Sequence, residues 1–136
     1  MRGVRALGES MRFHAPVVSA SAIGDYYQLS LCPESDEEEA DPYEVKGPYL
    51  IVQRNFEFND HGQRYIETHD EDYIGHFPLR LTELSRMCLA FNIVRRTHRH
   101  VEVSFALNAS EFEEVQRVAE IIFGLREPDL EDENAL

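Results

Sequence analysis

Between Val101 and Gly124 the chain changes its period, and that change limits what it can fold into. Val101, Val103, Phe105 and Leu107 alternate with Glu102, Ser104, Ala106 and Asn108, the period-2 pattern of a strand with one buried face. Phe112, Val115, Val118, Ala119 and Ile122 then recur at helical spacing, with Glu113, Glu114, Gln116, Arg117 and Glu120 on the opposite side. Ser110 and Glu113 match a capping box, in which each side chain satisfies an otherwise unpaired backbone N–H at the helix start. Gly124 can supply the left-handed residue that ends the helix, and Pro128 prevents its resumption. An amphipathic helix fed directly by a half-buried strand needs a sheet to cover, so the expectation is an α+β domain.

The rest of the chain supplies that sheet. Residues 1–10 lack periodicity and read as a frayed extension, with Met11 a plausible start. Phe13, Ala15 and Val17 alternate, as do Tyr27, Leu29 and Leu31 beyond Gly24-Asp25, which suggests a hairpin. Leu50, Val52, Phe56 and Phe58 define one face of a long strand, and Tyr49, Ile51 and Gln53 the other. Asn59-Asp60-His61-Gly62 is a turn signal, after which Tyr65 and Ile66 lie in the returning strand.

Leu79–Val94 is ambiguous: Leu81, Leu84, Cys88 and Phe91 fit a helix, whereas Met87, Leu89, Phe91 and Ile93 fit a strand. Because Phe77, Leu79 and Leu81 also alternate, two strands hinged near Ser85-Arg86 are expected. The result is a mainly antiparallel sheet of about seven strands with one C-terminal amphipathic helix packed on it. A single domain over residues 11–125 would precede an acidic, disordered tail at 126–136.

Composition narrows function mostly by exclusion. With 13 basic and 26 acidic residues the formal charge is −13, which opposes nucleic-acid and anionic-membrane binding and favours a basic partner. Lys46 is the only lysine and lacks phosphate-cradling glycines, so it is not read as catalytic. Cys32 and Cys88 fit neither a disulfide framework nor a zinc-finger spacing, and neither has a basic neighbour in sequence, so inert thiols are expected. Arg2, Arg5 and Arg12 precede the apolar stretch Ala15–Ala22, but that stretch is short and interrupted by Pro16, and a signal peptide is rejected. A cytoplasmic protein without membrane spans is the expectation.

His98, His100 and Glu102, at i, i+2 and i+4, would share one side of an early-starting strand and could hold a divalent metal in a small metal-dependent enzyme. The plainer reading is a solvent-facing row, and no metal or cofactor is expected. Arg95, Arg96 and Arg99 form the one basic cluster, suited to an anion by bidentate geometry or to offsetting acidic residues of the same chain. His61, His69, Asp70, Asp72 and His76 crowd two neighbouring loops without a known ligand spacing. Nucleophile-elbow, Walker, dinucleotide-binding and zincin motifs do not occur, so a catalytic site is not expected.

The acidic surface is the remaining functional feature. Glu34, Asp36, Glu37, Glu38, Glu39 and Asp41, with the corner Asp70, Glu71 and Asp72, would give a negative field that speeds capture of a basic protein. Its alternative role is solubility. The parts run in the order Arg12-Phe13-x-Ala15, a second strand, an acidic gap, Tyr49-Leu50-Ile51-Val52-Gln53-Arg54, Tyr65-Ile66-Glu67, the Gly75 corner, paired apolar strands and a final helix ending Ile122-Phe123. This order resembles immunity protein family ten of bacterial polymorphic toxin systems. Where that family shows an acidic, glycine-bearing stretch and a Gly-Gly corner, this chain has Asn59–Gly62 and Gly75-His76. The resemblance implies a non-catalytic protein that neutralises a cognate toxin, here a basic domain, by stoichiometric binding. A general interaction or oligomeric module, including a homodimer, is the alternative.

Overall fold

The computed structural model describes residues 10–33, 47–57 and 59–128. Nine strands and one α-helix lie among them: β1 (Ser10–His14), β2 (Val17–Ile23), β3 (Tyr26–Cys32), β4 (Leu50–Asn55), β5 (Arg64–Thr68), β6 (Gly75–Phe77), β7 (Leu79–Ser85), β8 (Cys88–Ile93), β9 (His100–Ser104) and α1 (Ala109–Ile122). The α+β class is therefore as the periodicities indicate. The strands form two sheets, of order β1-β9-β8-β7 and β2-β3-β4-β5-β6.

The difference from a single sheet of about seven strands has a cause in two prolines. Pro16 separates β1 from β2 and Pro78 separates β6 from β7, and in both cases one extended run leaves one sheet and enters the other. Proline has no N–H to give a ladder, so the run loses its pairing there and bends. Counted as extended runs, there are seven. All neighbours pair antiparallel except β1 and β9, because the first and last of an odd number of alternating runs point the same way.

Leu79–Val94 is two strands, joined by the two-residue turn Arg86-Met87 that follows the Ser85–Cys88 pair. The turn is tied down by the segment after β9: Phe105 N–H donates to Met87 O at 3.0 Å and Leu107 N–H to Arg86 O at 3.0 Å. Strand won over helix because Leu89, Phe91 and Ile93 can all be buried at period 2.

The inward residues of both sheets and the apolar stripe of α1 make one core. Leu29, Leu31, Leu50, Val52 and Ile66 come from the five-stranded sheet, Leu89, Phe91, Ile93, Val101 and Val103 from the four-stranded one, and Val115, Val118, Ala119, Ile121 and Ile122 from α1. Each such Val, Leu, Ile or Phe side chain contributes roughly 1.5–3 kcal/mol by leaving water. The helix packs chiefly on β2 and β3, with lesser contact to β4 and β7.

Helix capping departs from the sequence reading. The N-cap is Asn108, whose side chain accepts from Glu111 N–H at 2.7 Å while Asn108 N–H donates to Glu111 at 2.9 Å. Ser110 and Glu113 lie within the first turns instead. Both pairs fit the pattern, and the earlier one prevails because asparagine caps at least as well and the helix gains two residues. Gly124, with φ +81°, follows α1 in the left-handed region as expected.

Candidate functional site

The outward side chains of the five-stranded sheet form a bonded layer of hydroxyls, amides and aromatic rings. The register aligns Ser21, Gln28, Gln53, Tyr65 and His76 in one row across all five strands. Beside it run Ser19, Ser30, Ile51 and Glu67. Tyr26 OH lies 3.2 Å from Gln28 Oε1, Gln53 Nε2 lies 2.8 Å from the same atom, and Gln28 Nε2 lies 3.0 Å from Ser30 Oγ. On β5, Glu67 accepts from two phenols at once, Tyr49 at 3.0 Å and Tyr65 at 3.1 Å. Tyr65 also packs on His76, ring centroids 5.0 Å apart.

Partial burial sets the chemistry of this face. Burial, together with the hydrogen bond and charge of Glu67, pushes the Tyr49 phenol up to about 12, and the same causes raise Tyr65. Both tyrosines are therefore neutral donors at ordinary pH. Burial likewise raises the Tyr26 phenol. Beyond the row, toward the tip of the β4–β5 hairpin, an open hollow of ≈ 580 Å³ is lined by Tyr26, Gln53, Asn55, Asp60, His61 and His76 among others. Asn59 and Asp60 shape the tip by accepting from His61 and Gly62 N–H groups at 2.9 Å, which allows His61 its left-handed φ of 55°.

Two arginines fix the hairpin to the helix. Arg54 and Arg64 occupy inward positions, where alternation calls for apolar residues, and donate to the last carbonyls of α1: Arg54 Nη1 to Ile121 O at 2.7 Å and Arg64 Nε to Ile122 O. Arg64 also pairs with Asp60 at 3.2 Å, and Arg54 lies 4.1 Å over the Phe56 ring. The last turn of α1 has no basic residue of its own, so these guanidinium groups supply the charge that suits a helix C-terminus, a donor to Ile122 O and a second donor to Ile121 O, which also accepts from Gly124 N–H at 3.2 Å. Burial lowers both guanidinium pKa values from their usual range.

The residues singled out by sequence are distributed differently. Glu34, Asp36, Glu37, Glu38, Glu39 and Asp41 lie outside the described residues, as do 1–9 and 129–136. Ser10, assigned to the extension, begins β1 opposite His100. At the other end Arg126, assigned to the tail, pairs with Glu120 at 3.0 Å.

Asp70, Glu71 and Asp72 form a corner in which Asp70 caps the 3-10 turn Glu71–Tyr73. His98, His100 and Glu102 do not share a face. His98 has φ 52°, leaves the strand line and sits 3.7 Å from Asp72, whereas His100 Nε2 meets Glu102 Oε1 at 3.2 Å. Among the described residues no three His, Cys, Asp or Glu converge as metal ligands. The expected i, i+2, i+4 row fails because β9 begins only at His100.

Arg95, Arg96 and Arg99 do not form one clamp. Arg95 Nη2 donates to Asp72 O at 2.6 Å and to His98 O at 2.9 Å, and its guanidinium lies 4.5 Å from the Phe77 ring centroid. It braces its own loop against the acidic corner, while Arg96 and Arg99 are exposed. Of the loop cluster, only His61 and His76 reach one hollow; His69 lies instead by Phe13 and Tyr49. Cys88 is pushed up to about 11 by burial, then by Glu83 and Glu102, and burial raises Cys32, so both thiols are protonated at neutral pH.

Tyr26 and Gln28 are not site candidates by sequence, Tyr65 and Glu67 enter only as strand residues and through the resemblance, and His76 only through the loop cluster. Their signal was the polar half of each strand's alternation, which fixes a face without saying that neighbouring strands align it. Comparison with protein-family models and with curated protein sequences finds no match. Among the described residues no helix is long and apolar enough to cross a membrane.

Proposed function

We propose that this protein is a non-catalytic binding domain that meets a protein partner through the outer face of its five-stranded sheet. The resemblance described above gives the specific form: an immunity protein that neutralises a basic toxin domain by stoichiometric binding. The observation that carries the reading is Glu67, held between the Tyr49 and Tyr65 hydroxyls on β5 of a tyrosine-bearing, internally bonded face.

Tyrosine offers large contact area with few rotatable bonds, and side chains already fixed by hydrogen bonds lose less freedom on binding. A carboxylate held on that face suits an Arg or Lys of a basic partner, and the charge of −13 would speed the encounter. A cytoplasmic location fits the inert thiols.

The test is co-expression and co-purification with the product of the adjacent gene. A stoichiometric complex that suppresses toxicity is expected, and Tyr65→Ala with Glu67→Gln should weaken it by about tenfold or more. An adjacent product that is neither toxic nor bound, or a complex indifferent to both substitutions, rejects this assignment. An oligomeric module is the second reading, favoured by β2, which ends its sheet with no further strand among the described residues.

A further inference from the structure

Four strand edges terminate the two sheets, and three carry features that discourage a further strand. β1 has five residues with Arg12 and His14 exposed, β6 has three, and β7 carries Arg80 and Glu83 and shifts register between Leu81 and Glu83. β2 has none of these. Its seven residues, Val17-Val18-Ser19-Ala20-Ser21-Ala22-Ile23, include no charge and no proline, pair with β3 without a bulge, and end on Ile23 at 74% exposure.

The direction of its free backbone groups follows from the hairpin. A two-residue loop, Gly24-Asp25, makes Ile23 and Tyr26 the hydrogen-bonded pair that closes the turn, so Ser21, Ser19 and Val17 also bond toward β3. The N–H and C=O groups of Val18, Ala20 and Ala22 point the other way. Among the described residues no backbone hydrogen bond from a loop, turn or cap reaches them.

We propose that β2 pairs antiparallel with β2 of a second copy, across a two-fold axis at Ala20. In that register the strand is its own complement: Ala20 meets Ala20, Val18 meets Ala22, Ser19 meets Ser21 and Val17 meets Ile23. The residues with outward bonding groups map onto one another, so about six ladder hydrogen bonds form without a slip. Ser19 and Ser21 hydroxyls face each other on the outer side, and Val17 covers the exposed Ile23 of the other copy.

A second copy is the occupant because the strand carries no charge with which to recognise a charged peptide, yet mirrors itself residue by residue. Association brings together two chains of charge −13, so it strengthens as salt screens them, the opposite of capture of a basic partner. The pairing is independent of the protein-binding function proposed above. Where both hold, two copies of the tyrosine face lie side by side on one side of a continuous ten-stranded sheet.

Sedimentation of the full chain across concentration and salt tests this. The expected species has twice the monomer mass of 15.8 kDa, with a fraction that rises with both variables. S19K/S21K places lysine opposite lysine and should raise the dissociation constant by about tenfold or more, whereas S19K/S21E places lysine opposite glutamate and should restore it. Both positions are exposed, and unchanged circular dichroism and melting verify the fold of each variant. Hydrogen exchange on the unaltered chain gives a second reading: amides 18, 20 and 22 gain protection with concentration, while 19 and 21, bonded to β3 in both states, do not. A monomer throughout, a dimer indifferent to S19K/S21K, or exchange at 18, 20 and 22 independent of concentration overturns the proposal.

Discussion

The outer faces of the two sheets use opposite chemistry. On the four-stranded sheet Arg12 Nε lies 3.3 Å from Glu102, His100 bridges Glu102 and Asn92, and the Arg12 and Glu102 side chains are 58% and 38% exposed. On the five-stranded sheet, phenols, amides and one carboxylate bond to each other while half-buried. Exposed charges keep most of their hydration and rearrange cheaply, so such pairs add little stability and little preorganisation. Half-buried groups that have already exchanged water for each other hold one geometry. The difference is what supports the proposal that the five-stranded sheet meets a partner while the four-stranded one is a solvated exterior.

Three perturbations sharpen or break that contrast. The largest effect is expected at the anchor of the bonded face: Arg64→Ala removes a largely buried guanidinium from Ile122 O and Asp60, and should cost about 2–3 kcal/mol by chemical denaturation. Arg117→Ala, at the exposed pair with Glu114, should cost only about 0.5 kcal/mol. Equal losses would mean that the hairpin is not held through the helix end.

An intermediate effect is expected in alkali. The Tyr49 phenol is raised in the folded state to about 12, so its contribution is complete below the unfolded value near 10 and is lost as pH rises toward 12. Stability should fall across that window, and Tyr49→Phe should lessen the fall. An unchanged alkaline limb would remove the claim that Glu67 and burial hold the phenol neutral.

The smallest effect belongs to the charged face. His100, then Arg12, holds the Glu102 carboxyl below its usual range against partial desolvation, so its contribution is present above the unfolded value and is lost on acidification through the folded one. Exposure screens it, and Glu102→Gln should change stability at pH 7 by no more than about 0.5 kcal/mol while flattening the acid limb slightly. A loss comparable to that of Arg64→Ala would erase the distinction between the faces.

Alternation and helical spacing made much of the architecture legible. Leu29, Leu31, Leu50, Val52, Val101 and Val103 are buried, as their period implies, and Leu79–Val94 is two strands. The cap at Asn108 was misplaced because two overlapping boxes satisfy one pattern, and local sequence does not say which start leaves the better stripe for the core. The row His98, His100 and Glu102 failed for a related reason: spacing gives a shared face only inside a strand, and His98 lies outside it. Arg54 and Arg64 were illegible because their use depends on carbonyls at Ile121 and Ile122, far along the chain.

By itself, the sequence determined where most strands and the helix lie, which side of most of them faces the core, and the net charge, since these depend on neighbours a few positions away. Tertiary structure alone decided that Pro16 and Pro78 turn two runs between sheets, that Gln28, Gln53, Tyr65 and His76 align in one row, and that β2 has no strand on its outer edge among the described residues. Alignment across strands depends on register and sheet order, which arise when the apolar halves of distant segments share one core. The polar halves are carried into place by that packing.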